Sequence, residues 1–354
     1  MGDFEAVTGP TVWKGSTFAG KEDVTLSLGA SERHAIDKAL DATRNLALED
    51  IEPHHFSDPV LARFMRRIAE EVLHGRGVVV LGGIPMDKYD EESASRIFWG
   101  LGRQLGNPVS QSVMGERLGH VVDKSADDPT ARGYRQRYEL TPHNDFHEIV
   151  TFMCLRQGIR GGRSWCVSSH LLHNHMLESR PDLLEALYRG YFTHRFGEQG
   201  DGEGPITEHR VPVFSRCEGE LSCRFLRRYI EAAANEAQAL SRKEREALEY
   251  FDAIAMDADN GLFFDLEPGE AVIMNNYVVL HGRTAFEDGQ TSANKRHLIR
   301  LWLTVEPPRP VMAQVAVYAS ELEGSGIVPR PGRVPSYDDR ETVQRVYGDR
   351  MPSE

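Results

Sequence analysis

Apolar positions along this chain alternate between blocks of helical period and blocks of strand period. In the first third, Leu61, Phe64, Met65, Ile68 and Val72 fall on one face of a stretch that Asp58 is placed to cap, and Ser31 is placed to cap another over 32–46. The run 77–83 is apolar, rich in valine and closed by glycines, which predicts a buried strand, followed by a helix through 93–105. From about Phe146 the pattern becomes β: 149–155 reads as a strand, Gly161 and Gly162 turn it, and 164–168 continues. Helical period returns between about 171 and 257, where Ser179 with Asp182 and Ser241 with Glu244 have the spacing of capping boxes. Strand-like runs at 262–266, 271–276, 278–281 and 297–303 follow, the first two joined through Pro268-Gly269. This order predicts a mainly β fold with helical insertions, an antiparallel jelly roll flanked by α-helices, built as one domain over 1–306 with the insertion at about 171–257. From Pro307 onward proline and glycine recur, so 307–354 is expected to be an extended C-terminal tail or a subunit contact, which leaves a homo-oligomer open.

Composition narrows the partners. A formal net charge of -13 over 354 residues disfavours nonspecific nucleic-acid binding and anionic membrane surfaces, so an anionic small molecule must be held by local arginines. Four cysteines without CxxC spacing suggest reduced, structural thiols. The N-terminus lacks signal-peptide features and no apolar run is long enough to span a bilayer, so a cytoplasmic location is expected. The loop 197–204 is too glycine-rich to hold one conformation unaided; a mobile cover over a site and a solvated linker both fit it.

The chemistry sits in a few residues. In a strand, residues two apart share a face, so His143 and Asp145 can look into one cavity. His281 ends an apolar strand beside Gly282, where the backbone can turn closely. Two imidazoles and a carboxylate on one side of Fe(II) leave positions for a cosubstrate and O2. Arg296 and Arg300 are four apart, an even separation that puts both on one strand face, and two inward arginines call for anions or for internal ion pairs. A 2-oxo acid would chelate the iron and offer its far carboxylate to Arg296, with the Ser164 hydroxyl beside it. His147 is either a rival ligand or a substrate-facing neighbour, Gln111 and Ser110 lie on a loop that faces substrate or solvent, and His297 alternates away from Arg296. His170, His173 and His175 read as structural. A zinc hydrolase using the same ligands, or a noncatalytic jelly-roll binding protein, remains as a competing reading.

The succession of His143-x-Asp145, the 162–168 strand, Pro268-Gly269-Glu270, Asn276 through His281-Gly282-Arg283, and Arg296 with Arg300 resembles the taurine dioxygenase and TfdA family of Fe(II)/2-oxoglutarate dioxygenases, over about 77–303. The stretch 280–286 is most similar to the clavaminate synthase and arginine hydroxylase branch, although Asp145 follows the taurine pattern where that branch commonly carries Glu. The resemblance implies a double-stranded β-helix and iron ligands His143, Asp145 and His281. It also implies that Arg296 binds 2-oxoglutarate, with Ser164 standing where the family has threonine, and that Arg300 binds substrate, with Gln111 and His147 as further candidates. The expected reaction is oxidation, foremost hydroxylation, of a C–H bond with release of succinate and CO2. The carboxylate at Asp145 argues against halogenation. The expected substrate is a small amino acid or derivative, with a sulfonate or aryloxyacid as the alternative.

Overall fold

In the computed structural model, which describes residues 4–125, 132–333 and 335, the strands of the two main sheets are β1 Thr25–Ser27, β2 Val78–Gly82, β3 Asn107–Pro108, β4 Leu118–Val121, β5 Leu140–His143, β6 Ile149–Arg156, β7 Ser164–Ser168, β8 Gly261–Phe264, β9 Ala271–Asn275, β10 Val279–Arg283 and β11 His297–Thr304. They form two facing sheets. One runs β1-β2-β9-β6-β11-β3, with β4 also on β11; the other runs β8-β7-β10-β5. Apart from the parallel β1–β2 pair, the described pairings within these sheets are antiparallel. With the helices described below, this is the jelly roll that the order of elements predicts and the double-stranded β-helix that the resemblance implies.

Both faces of the larger sheet are buried, and the alternation of side chains decides which layer each residue joins. Val79, Leu81, Met153, Ile273, Ile299 and Leu301 pack outward against α1 Ala30–Thr43, α2 Pro59–Leu73 and α3 Glu91–Arg103. Val78, Val80, Val150, Val272, Met274, Leu298 and Trp302 point inward to the space between the sheets. The outer face of the smaller sheet is covered by α4 Ser169–Ser179, α5 Pro181–Arg189, α6 Arg227–Glu236 and α7 Arg242–Ala255, with Val167 and Leu280 packed among their apolar residues. The helical insertion also carries a hairpin, Phe214–Cys217 with Glu220–Cys223, which its short alternations did not announce.

Two caps differ from expectation. Gly29, not Ser31, precedes α1, because the Glu32 carboxylate reaches back to the Gly29 N–H at 3.0 Å and fixes the helix start there. Ser179 closes α4 instead of opening α5; Arg180 intervenes and takes the Asp182 carboxylate through two bonds of 2.9 Å, while Pro181 starts the helix. Asp58 accepts from the Val60 N–H at 3.0 Å, and Ser241 with Glu244 closes a reciprocal box, as the spacing predicts.

The stretch after Pro307 is not extended where it is described. Val317, Tyr318 and Ile327 are fully buried in the inter-sheet cluster, and the Ile327 N–H donates to the Ser110 carbonyl at 3.1 Å. Apolar residues spaced among prolines carry no period, so burial there comes from tertiary contact that periodicity cannot reveal. Residues 336–354 lie outside the described part. Among the described residues, no helix is long and apolar enough to cross a membrane, and all four cysteines are unpaired thiols.

Candidate active site

Strand pairing makes the site. β10 runs between β5 and β7, and its register sets His281 directly across from His143 and Arg283 directly across from Ser164. The His143 and His281 rings lie 4.5 Å apart between centroids. β5 ends at His143, so Asp145 is placed by side-chain bonds instead of by the ladder: its N–H donates to Asn276 Oδ1 at 2.9 Å and its carbonyl accepts from Asn276 Nδ2 at 2.6 Å. Asn144 turns away and bonds the Phe225 N–H and the Asn276 carbonyl. One ligand atom from each of His143, Asp145 and His281 falls within 4.8 Å of the other two.

The donor set suits a divalent iron. The Thr141 carbonyl sits 2.8 Å from His143 Nδ1 and so fixes the proton there, leaving the Nε2 lone pair for a metal. Burial pushes both imidazoles toward neutrality, His281 down to about 3. Burial opposes ionisation of Asp145, but the Arg300 guanidinium and the Trp302 N–H beside it outweigh that and hold the carboxyl well below its usual range. Asp145 Oδ2 accepts from Arg300 Nη1 at 3.1 Å and Trp302 Nε1 at 2.7 Å and lies 3.8 Å from His281 Nε2, so these two donors fix the carboxylate beside the imidazoles. Two neutral imidazoles and one carboxylate are thereby ready to bind without losing a proton.

Two cavities meet at this point. The first is walled by Arg132, Tyr134, Phe146, Arg228, Tyr229 and Arg300 beside His143 and Asp145. The second is walled by Phe152, Ser164, Trp165, Arg283, Arg296 and Arg300 beside His143 and His281. Arg300 is shared, stacked 4.3 Å from the Tyr134 ring and 4.7 Å from Trp302, and its Nη2 has no partner. Arg296 lies just ahead of β11, yet it enters the second cavity together with Arg300, and its Nε and Nη1 are buried without partners.

Other expected residues are placed differently. Gln111 is fully buried behind Arg300: its Oε1 accepts from Arg300 Nε at 2.7 Å, and its Nε2 donates to the Arg300 and Arg117 carbonyls. Its amide is spent on positioning the arginine and faces neither cavity. His147 lines a separate cavity with Glu148, Tyr277 and Arg309, because the strand that would have kept it in line with His143 has already ended. His297 bonds His120 at 2.9 Å and Arg156 at 3.0 Å on the helix-covered side of the sheet, remote from the triad. His170, His173 and His175 are held by Leu221 and Thr11, by Tyr188 and by Tyr250. The glycine-rich loop is tied down: Arg195 Nη1 donates to the Gly204 and Ile206 carbonyls, and the fully buried Glu198 lies 3.4 Å from Arg132. It is therefore neither a free linker nor remote from the first cavity.

In the sequence Arg283 has a place in a motif but no assigned role, and nothing points to a role for Trp302, Tyr134 or Arg132. The first two were within reach of the rule that singled out His143 and Asp145, since Arg283 stands two after His281 and Trp302 two after Arg300 on their strands. Tyr134 and Arg132 sit in an irregular segment where no period points anywhere.

The model of the family described as "Taurine catabolism dioxygenase TauD, TfdA family" matches residues 42–302. FR-33289 synthase of Streptomyces rubellomurinus is 29% identical over 313 residues, 86% of this chain and 91% of its own length. An asparagine oxygenase, solved with Fe(II), 2S,3S-3-hydroxyasparagine and succinate, superposes with a TM-score of 0.63 at 18% identity, covering 79% of this chain and 93% of that one. The non-heme iron oxygenase OrfP, solved with Fe and alpha-ketoglutaric acid, gives a TM-score of 0.57 at 14% identity, covering 79% and 93%.

Proposed function

The chain belongs to the TauD, TfdA family of dioxygenases, and from that premise we propose that it oxidises a C–H bond of a small anionic substrate, an amino acid or a derivative of one. It is an Fe(II)- and 2-oxoglutarate-dependent oxygenase. When bound, the iron supplies the oxidising chemistry, consuming O2 and 2-oxoglutarate and releasing succinate and CO2. The observation that carries the reading is the convergence of His143, Asp145 and His281 at the junction of two arginine-lined cavities. A zinc hydrolase would have no use for the second cavity with its unpartnered guanidinium donors.

The protein's own part is binding and orientation. His143, Asp145 and His281 hold the metal, and Arg296 with Ser164 receives the far carboxylate of 2-oxoglutarate in the second cavity. Arg300 has a double task. Its Nη1 and Nε are committed to Asp145 and Gln111, so the guanidinium is rigid, and its free Nη2 is offered to a substrate anion. Arg132, which is paired with the buried Glu198, and Arg228 also line the first cavity. The fold-sharing oxygenase that holds hydroxyasparagine supports an amino-acid-sized occupant.

With Fe(II) and ascorbate, the purified protein should slowly convert 2-oxoglutarate to succinate without added substrate, and His143→Ala should abolish this. No succinate from folded, iron-loaded protein would contradict the reading. Amino acids with a free carboxylate should accelerate turnover more than their methyl esters do; equal response to acid and ester would remove the anion from the substrate proposal.

A further inference from the structure

The second cavity contains more positive charge than one arginine explains. Arg283 closes β10 opposite Ser164 and is buried, and its Nε and Nη1 have no partner. Arg296 is in the same condition at its own Nε and Nη1. Both guanidinium groups lie over one ring, Phe286, at 4.6 and 5.2 Å. Among the described residues no carboxylate forms an ion pair with either; the backbone N–H of Arg296, not its guanidinium, bonds Asp288. A buried donor left unpaired is destabilising, and more so on a charged group. Two cations held dry beside each other are thus a strained arrangement that a carboxylate relieves.

Arg283 also faces the other way. Its Nη2 donates to the carbonyls of Gln136 at 2.8 Å and Tyr138 at 2.7 Å. Those residues follow Tyr134, whose ring stacks on Arg300 and lines both cavities. One guanidinium therefore joins the cosubstrate cavity to the backbone of the substrate cavity's wall.

Resting on the function proposed above, we propose that Arg283 is a second binding group for the distal carboxylate of 2-oxoglutarate, and that through Gln136 and Tyr138 it makes cosubstrate binding order the wall around Tyr134. The carboxylate has lone pairs enough for donors from both arginines. With its Nε and Nη1 engaged, Arg283 loses rotational freedom, and the two carbonyls on Nη2 are held with it. Any gain in order at that wall is a coupling free energy between the two cavities.

The test uses the full chain loaded with Fe(II) under anaerobic conditions. Calorimetry measures affinity for 2-oxoglutarate and for 2-oxopentanoate, which keeps the chelating end and lacks the far carboxylate. Arg283→Gln should weaken 2-oxoglutarate about tenfold or more and change 2-oxopentanoate little, as Arg296→Gln should, with iron affinity kept in both. Hydrogen exchange at 133–140 should slow on adding 2-oxoglutarate to the native protein and not in Arg283→Gln. If Arg283→Gln does not fold, Arg283→Lys, which retains one charge without the fork, should still lose discrimination between the two acids. Equal weakening of both acids, or unchanged affinity for 2-oxoglutarate, overturns the proposal. Native protein that binds neither acid overturns the proposed function with it, whereas native binding with no effect of Arg283 overturns only this inference.

Discussion

At the scale of single residues, the site depends on groups that never touch a metal. Asp145 Oδ2 accepts from Arg300 and Trp302, and this pairing orients the carboxylate and keeps it ionised. Trp302→Phe keeps a ring in the same buried position and deletes one hydrogen-bond donor. Partners that orient a ligand typically contribute about 10–100-fold to metal affinity or activity. Trp302→Phe should accordingly lower Fe(II) affinity by about tenfold or more in a metal titration, with the melting temperature little changed. Unaltered affinity would show that the indole N–H does not hold the ligand. Gln111 teaches the complementary lesson. Its loop position suggested substrate contact, but an amide that can accept from Arg300 and donate to two carbonyls is worth more as a buried brace.

At the scale of elements, β10 bears the heaviest demand, because it is hydrogen-bonded on both sides and carries His281 and Arg283. Gly282 lies between them, across from Trp165, and a Cβ there would come 1.6 Å from Trp165 Nε1. The need for glycine comes from this close approach of the indole. Gly282→Ala must displace either the tryptophan or the strand. Overpacking of this kind costs about 1–3 kcal/mol and occasionally more. A fall of several degrees in melting temperature is expected, with partial recovery in the Gly282→Ala, Trp165→Leu double variant; strictly additive losses would mean that the two side chains do not conflict. The same element shows how a β pairing register creates a site: shifting β10 by one residue would send both His281 and Arg283 to the helix-covered face.

At the scale of the whole molecule, the buried histidines outside the site tie the fold to pH. Burial pushes His170 and His173 down to about 4, against an ordinary value near 6.5. Above about pH 6.5 both are neutral in either state and exact no penalty. As pH falls toward 4, the unfolded chain gains protons that the folded chain refuses, so stability declines over that window and these two contribute no further loss below it. A shift of this size corresponds to about 3 kcal/mol per histidine. Denaturant midpoints should therefore fall between pH 7 and 4.5, and the fall should be smaller in His170→Gln, whose amide can still meet Thr11 and the Leu221 carbonyl. Identical falls in the two proteins would exclude His170 as a source. The main succession of helical and strand blocks and the residue types of the triad were readable along the chain, whereas the short strands β1, β3 and β4, the 214–223 hairpin and which face of the apolar β2, β6 and β9 turns inward were not. Period and residue chemistry are local properties that survive without neighbours. Pairing of His281 with His143, Arg283 with Ser164 and Arg300 with Asp145 was decided only by tertiary structure. So was the diversion of Gln111 and His147 away from the triad's cavities. Strand register, strand ends and burial arise from contacts between segments more than a hundred residues apart, and no spacing within one segment encodes them.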